Sequence, residues 1–475
     1  MRSDGAATPW RTFALVSGAI VLGALNFAAV FVAFGEIEDT FAANRATVSW
    51  ALTIYPIVLA AVIVPGGWVA DRFGRKTTFL AGIGLFTVGS IGVSSAWSVE
   101  VLVLARAVQA AGFGLETPAA VAIVLNAFPP NRRSTAVGAF GGIGGLSIAL
   151  APVLCGLLID EIGWRWTFAG SIPVGVVTFA VGAVLLPADP PGRATASKPD
   201  LAGVFGLFVG VAALALTIVQ SNEWGLGDPR TVAAAVLAVA LLASVIHRSR
   251  HHSAPILELS LFRLGTFRTG NVLTVLVASS FAGTYFAFVI LLTETWDLTL
   301  FRAGLALALI PAIGGPLSVV AGRVADRFGH RSVILPGALC MLGGALWLWS
   351  AVSVEPDIVG LWLPAVGLYA TGVGLGHAAS QGLAMRDVPE RHLGIGSAMN
   401  RIVMEIGTTV SIAVVIVLLS GVDAAESVAG LRRVLVALAV VSGVGAAIST
   451  SVHTSRRTDP TATDLSPISA VAGAD

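Results

Sequence analysis

The sequence predicts an all-α integral membrane protein with fourteen transmembrane helices, arranged as six, two and six. Three observations carry that prediction. Of the 475 residues, 56% are hydrophobic and only 12% are charged, whereas soluble domains carry about a quarter charged residues. The apolar residues fall into long runs, and a helix needs roughly 20 of them to cross a bilayer; no short alternating segments of β-barrel type are seen. Finally, Val69-Ala-Asp-Arg-Phe-Gly74 recurs letter for letter as Val324-Ala-Asp-Arg-Phe-Gly329. Such an identity, at the same place in two hydrophobic hairpins, marks a duplicated unit.

Taken in order, the runs lie at 12–34, 48–68, 77–96, 100–126, 134–158, 164–186, 200–219, 230–246, 269–292, 302–322, 332–352, 359–384, 395–420 and 431–451. The first is too long for the apolar segment of a cleavable signal, and the span at 48–68 needs it as a partner. A short tail, 1–11, precedes a first six-helix bundle at 12–186. The Pro-rich linker 187–199 leads to two inserted helices at 200–246. A second linker, 247–268, carries His247, Arg248, Arg250, His251 and His252, and a second six-helix bundle follows at 269–451. The tail 452–475 is rich in Thr, Ser and Pro and is expected to be disordered.

Charge sets the orientation. With fourteen spans, both tails and the even-to-odd loops share one side. Of the 28 basic residues, only Arg45, Arg165, Arg230, Arg302, Arg432 and Arg433 fall on the other side, and Arg106 lies inside a span. The positive-inside rule then puts both termini in the cytoplasm of a cell-membrane protein. The net charge of +1 suggests no nucleic-acid partner. Cys155 and Cys340 both lie in apolar runs and read as small packing residues rather than a disulfide or metal pair.

The repeated turn reads as Gly67-Trp-Val-Ala-Asp71-Arg72-Phe-Gly74-Arg75-Lys76. Glycine at 67 would let two spans approach closely. Asp71 and Arg75 would pair if the segment stays helical, and Gly74 permits a sharp reversal. A topological anchor, with the cations holding the loop inside, accounts for the basic residues alone. The full spacing G-x-x-x-D-R-x-G-R-K resembles the signature loop of the major facilitator superfamily, with Val69 for the usual Leu. The resemblance implies that fold, and a gating role for Gly67, Asp71, Arg72, Gly74 and Arg75. The second copy, Gly322-Arg-Val-Ala-Asp326-Arg327-Phe-Gly-His-Arg331, implies the same for Asp326 and Arg327.

Further stretches resemble the fourteen-span drug:proton antiporters of that superfamily. Arg106-Ala-Val-Gln109-Ala-Ala-Gly112 is similar to their R-x-x-Q-G-x-G segment, in which the arginine is linked to proton transfer. An arginine at a helix centre costs roughly 2.5–3.5 kcal/mol on insertion scales, so it faces a cavity or a partner; packing against neighbouring carbonyls is the simpler alternative. The run from Gly138 through Ser147, Ala151, Pro152 and Cys155 to Gly156 resembles the antiporter motif, keeping Gly138, Pro152 and Gly156. Gly163-Trp-Arg-Trp-Thr-Phe-Ala-Gly-Ser-Ile-Pro-Val-Gly175 and Glu223-Trp-Gly-Leu-Gly-Asp-Pro229 resemble further segments of the same branch.

Proton coupling needs a carboxyl that titrates where its protonation alters a helix position or substrate affinity. The branch's usual aspartate in the first span is replaced by Asn26, which cannot titrate. Glu116, ten residues or about 15 Å beyond Arg106 on one helix, is therefore expected to carry coupling together with Arg106. Glu405, one turn beyond Arg401, either contributes to the substrate cavity or pairs with Arg401. His377 is the one histidine well inside a span; it reads as a packing residue or as a cavity contact. Asn26, Gln109 and Pro152 complete the expected cavity. Phe113, Tyr285, Phe286, Phe288 and Tyr369 line an apolar cavity or face lipid. No phosphate-binding G-x-x-x-x-G-K-[ST] loop, nucleophile motif or metal-ligand spacing occurs. The expected protein is thus not an enzyme and has no cofactor. It is a monomer in the lipid bilayer that uses the proton gradient to export hydrophobic or amphipathic small molecules by alternating access. Import of a metabolite, or movement of a lipid-like substrate, is the alternative.

Overall fold

In a computed structural model, the described residues are 9–129, 133–186, 200–252, 255–389, 392–419 and 427–452, and their regular structure is entirely helical. The linker at 187–199 and the tail beyond 452 lie outside them. The chain divides into two compact units. The first comprises Met1–Lys198 with Leu298–Ala308, the second Pro199–Asp297 with Leu309–Asp475.

The first unit holds α1 Pro9–Val32, α2 Phe34–Phe41, α3 Arg45–Phe73, α4 Arg75–Ser94, α5 Val99–Ala127, α6 Arg133–Ile162, α7 Arg165–Ala169 and α8 Ser171–Leu185. Several helices start at a side chain that accepts one of the orphan N–H groups of the first turn. Asn44 Oδ1 accepts from Thr47 N at 2.8 Å, and Ser98 Oγ accepts from Val101 N at 3.4 Å. These caps start the helices ahead of the apolar runs, so that α3 covers 45–73 where the apolar run is 48–68. The first run also ends sooner than its apolar residues do: the chain turns at Ala33 and continues as the short α2, which carries Glu36 and Glu38.

The second unit holds α9 Leu201–Trp224, α10 Pro229–Ser249, α11 Gly265–Ile290, α12 Leu300–Phe328, α13 Arg331–Ala351, α14 Leu363–Met385, α15 Leu393–Leu419 and α16 Ser427–Thr450, except that the start of α12 belongs to the first. Asp200 ties the α9–α10 hairpin together. Its Oδ1 accepts from Gly203 N at 2.9 Å as the cap of α9, and from Arg248 Nε near the end of α10. α9 also packs on α15.

Packing repeats between the units. In the first, α5 packs against α1, α3 and α4, while α1 also meets α6 and α8, and α4 meets α8. In the second, α14 packs against α11 and α13, α11 meets α15 and α16, and α13 meets α16. Glycine makes the tightest of these contacts possible: a Cβ on Gly112 of α5 would strike the backbone of Gly82 and Phe86 in α4. Its counterpart on Gly372 of α14 would strike Gly337 and Met341 in α13. Small residues that let backbones meet are the main source of helix association in lipid. Large apolar side chains such as Val176, Val177 and Val184 on α8 and Val232, Val236 and Val239 on α10 are exposed, as suits helices solvated by acyl chains.

Among the described residues, thirteen helices are long and apolar enough to cross a membrane. The expected run at 134–158 falls on α6, where residues 133–142 and 145, Gly138 among them, have surroundings outside the described part. The expected aromatic lining is corrected. Tyr285, Phe286, Phe288 and Tyr369 are at most 2% exposed, and Phe113 packs on the core around Phe79, Ile83 and Phe86. The four buried rings fill helix–helix contacts and do not face lipid, whereas Phe113 is only partly buried.

Candidate functional site

The interior of the first unit is built around the Arg106–Gln109 pair on α5. Both are buried, at 1% and 0% exposure. Arg106 donates through Nε to Ala51 O of α3 at 3.3 Å and through Nη1 to Gln109 Oε1 at 2.9 Å. Its guanidinium also lies 4.5 Å from the ring centre of Tyr55 and 5.8 Å from that of Phe168. Gln109 Nε2 donates to Asn26 Oδ1 of α1 and to Ser90 Oγ of α4, both at 2.8 Å. Asn26 in turn donates to Leu22 O at 3.0 Å. One side chain therefore joins α1, α4 and α5, and each amide is oriented by its partners. The structure joins Asn26, Arg106 and Gln109, which the sequence assigns separately, Asn26 and Gln109 to the cavity and Arg106 to coupling with Glu116. Tyr55, Ser90 and Ala51 are additional, and nothing local in the sequence singles them out.

Glu116 stands apart from this group. It faces α4, where a Cβ on Gly82 would touch its backbone N and its Cβ. It is 0% exposed, and neither carboxylate oxygen has a hydrogen-bond partner among the described residues. Such oxygens are rare in native interiors and call for a functional explanation. Pro118 sits two residues further on without ending α5.

In the second unit, Arg401 Nε donates to Glu405 Oε1 at 2.6 Å. Glu405 is 6% exposed, so the pairing alternative is the geometry found. His377 Nε2 lies 3.0 Å from Gln381 Nε2 one turn along α14. At the position corresponding to Gln109, Tyr369 shares a 3.1 Å hydrogen bond with Ser280 of α11, which lies 3.2 Å from Ser442 of α16.

The two signature loops are sharp turns at glycines with φ of 103° at Gly74 and 90° at Gly329, a region L side chains seldom occupy. Two expectations are corrected here. Gly67 has open space around it, and the close approach falls on Gly66, against Gly114 of α5. Helix α3 stops at Phe73 and Gly74 turns the chain, so Asp71 and Arg75 are not one turn apart on a continuous helix. Asp71, Arg72, Asp326 and Arg327 are exposed. Lys76 instead reaches the end of α8 and donates to Ala183 O and Leu186 O, both at 2.8 Å. His330 takes the place that Arg75 has in the first copy. Burial and the neighbouring Arg386 hold its pKa below the ordinary imidazole value, against Asp326 and Asp387.

Pro152, buried in α6, lies where a Cβ on Gly304 of α12 would strike its carbonyl. One turn on, Gly156 packs on Leu300, and Asp160 accepts from Leu300 N at 3.1 Å and Phe301 N at 2.8 Å. The helices are thus in backbone contact through small residues, and Asp160 caps α12. The Gly163–Gly175 segment is tied to α2 and to the turn that follows α4. Trp164 N donates to Glu36 at 3.2 Å, Trp164 Nε1 to Thr40 at 3.0 Å, and Arg165 to Ala96 O at 3.0 Å. Cys155 and Cys340 are free thiols.

Long apolar helices, two similarly packed bundles and charged side chains buried in mid-helix define a multi-pass membrane protein. The chain belongs to the Major Facilitator Superfamily, whose family model matches residues 16–412. It is 30% identical to the tetracenomycin C resistance and export protein of Streptomyces glaucescens, over 87% of this chain and 76% of that protein. It is 26% identical to the multidrug resistance protein B homolog of Mycobacterium tuberculosis (strain ATCC 25618 / H37Rv), over 93% and 82%. Its fold resembles the crystal structure of a bacterial homolog of the human lysosomal transporter Spinster. There the TM-score is 0.68 at 15% identity, covering 93% of this chain and 96% of that one.

Proposed function

We propose that the chain is a fourteen-span, proton-driven exporter of hydrophobic or amphipathic compounds, working by alternating access with both termini in the cytoplasm. The observation that carries this reading is Glu116, a buried carboxyl with no hydrogen-bond partner among the described residues, set in the tight α4–α5 contact. An ionised carboxylate there is strongly disfavoured, so loss of its proton requires α4 and α5 to rearrange. Proton release and helix movement are thereby one event. The export and resistance proteins to which the chain is similar support the direction and the substrate class.

Arg106 completes the coupling pair. Asn26, Gln109, Pro152, His377 and Glu405 contribute to the substrate path. Gly67, Asp71, Arg72, Gly74 and Arg75, with Asp326 and Arg327, form the gating loops. The transporter acts as a monomer with no cofactor. A second reading, proton-coupled import of a metabolite or movement of a lipid-like substrate, draws on Asn26, the neutral residue at the place of the branch's usual aspartate.

The test is uptake of amphipathic dyes by inside-out vesicles under an imposed proton gradient. Uptake should collapse with a protonophore. Glu116→Gln should remove gradient-driven uptake while sparing substrate exchange at equilibrium. Undiminished pH dependence in Glu116→Gln would reject the coupling assignment. Proton-coupled uptake confined to right-side-out vesicles would favour import.

A further inference from the structure

The buried charges of the two units are balanced differently. In the second unit, Arg401 has Glu405 as a direct partner at 2.6 Å. In the first, Arg106 is 1% exposed, yet among the described residues no carboxylate pairs with it. Its surroundings are neutral acceptors and π-faces: the Ala51 carbonyl, the Gln109 amide oxygen, and the rings of Tyr55 and Phe168. Of the five N–H groups a guanidinium carries, two are engaged by these oxygens. Asn26 is the nearest relay of the network, and its amide places an oxygen toward Gln109 without adding negative charge. Glu116 is on the same helix about 15 Å away and turned toward Gly82.

A buried cation without a counter-charge favours an anion strongly, because the partner's charge is not screened by water. It disfavours a second cation by the same physics, which is how sites reject the wrong ligand. The wall beside it is aromatic. Tyr55 stacks on the guanidinium and is half-buried, and its ring centre is 6.2 Å from that of Phe113.

We propose that Arg106 is the charge-selecting contact of a site in the first unit for aromatic organic anions, carboxylates or phenolates, and that Asn26 is what keeps it so. The substrate supplies the missing negative charge. Its ring takes the place of Tyr55 over the guanidinium, and its oxygen accepts from N–H groups that neither Ala51 nor Gln109 uses. This deepens, and rests on, the reading of the chain as an exporter of amphipathic compounds.

The experiment uses two dyes on one scaffold, anionic carboxyfluorescein and cationic rhodamine 123, with the full chain in detergent and in inside-out vesicles. Binding by fluorescence polarisation should favour the anion by tenfold or more, on the order of one full charge interaction. Asn26→Asp, which changes charge at constant size, should bring that ratio to unity or reverse it. Arg106→Lys should keep the preference, and Arg106→Gln should lose it. Equal or tighter binding of rhodamine 123 by the natural sequence, no binding of carboxyfluorescein, or a ratio unmoved by Asn26→Asp would overturn the proposal. If the anion is preferred in binding but neither dye accumulates in vesicles, the export reading fails and the charge selection stands.

Discussion

At the scale of single residues, Gln109 does more than its spacing from Arg106 suggests. It donates to α1 and α4 and accepts from Arg106, so its loss would leave three buried groups short of a partner. Gln109→Leu should destabilise the protein by about 2–4 kcal/mol, since each buried polar group left unsatisfied costs roughly 1–3 kcal/mol and partial re-pairing in lipid reduces the sum. Gln381→Leu, whose side chain meets only His377 among the described residues, should cost less than about 1 kcal/mol. Thermal unfolding of the two variants in detergent checks the contrast. The R-x-x-Q spacing could be read from the sequence because both residues share a helix. The Asn26–Gln109 bond could not, because it joins helices 83 residues apart and no local pattern records which faces meet. The same limit explains why Gly67, not Gly66, drew attention as the packing glycine: identity to a motif marks a position, while only the neighbouring helix decides which side faces in.

At the scale of elements, the helices run past their apolar cores because the caps lie in polar sequence, at Asn44, Ser98, Asp200 and Asp228. The start of the short α2 was hidden at the end of the first run, where apolar content continues through Ala33 and Phe34 although the backbone turns. Glu36 on α2 offers a pH test of that element. Burial raises its pKa above the ordinary 4.5, the Trp164 N–H lowers it, and Asp160 and Asp39 raise it further. A carboxyl whose folded pKa is raised contributes stability that is complete below its unfolded value and is lost as pH rises through its folded value. Glu36→Gln keeps an acceptor for Trp164 and removes the ionisation. Its unfolding temperature should therefore fall less than that of the natural protein as pH rises from 4.5 towards neutrality. Parallel curves for the two proteins would show that Glu36 does not contribute.

At the scale of the whole molecule, duplication explains the repeated packing, while the buried polar groups differ between the copies. Backbone geometry is retained, since both signature loops turn at a positive-φ glycine and both units bring a glycine against the preceding helix, Gly112 of α5 on α4 and Gly372 of α14 on α13. Chemistry is not retained. Among the described residues, the first unit carries Arg106 without a carboxylate partner and Glu116 without a hydrogen-bond partner, whereas the second carries the Arg401–Glu405 pair. The loops differ in the same sense. Lys76 closes the end of α8 through two carbonyls, satisfying acceptors that a helix end leaves open and adding a cation where the helix dipole favours one. Arg331, at the equivalent place of the second copy, is exposed and begins α13. If both basic residues served only to hold their loops in the cytoplasm, Lys76→Ala and Arg331→Ala would have equal effects. The geometry instead gives Lys76 a structural contact, so Lys76→Ala should lower stability by about 1–2 kcal/mol, and Arg331→Ala should lie within about 0.5 kcal/mol of the natural protein. Unfolding midpoints measured side by side in one detergent decide between the two accounts. A purely topological role predicts no difference, while a bond from Lys76 to α8 predicts one that Lys76→Arg partly restores.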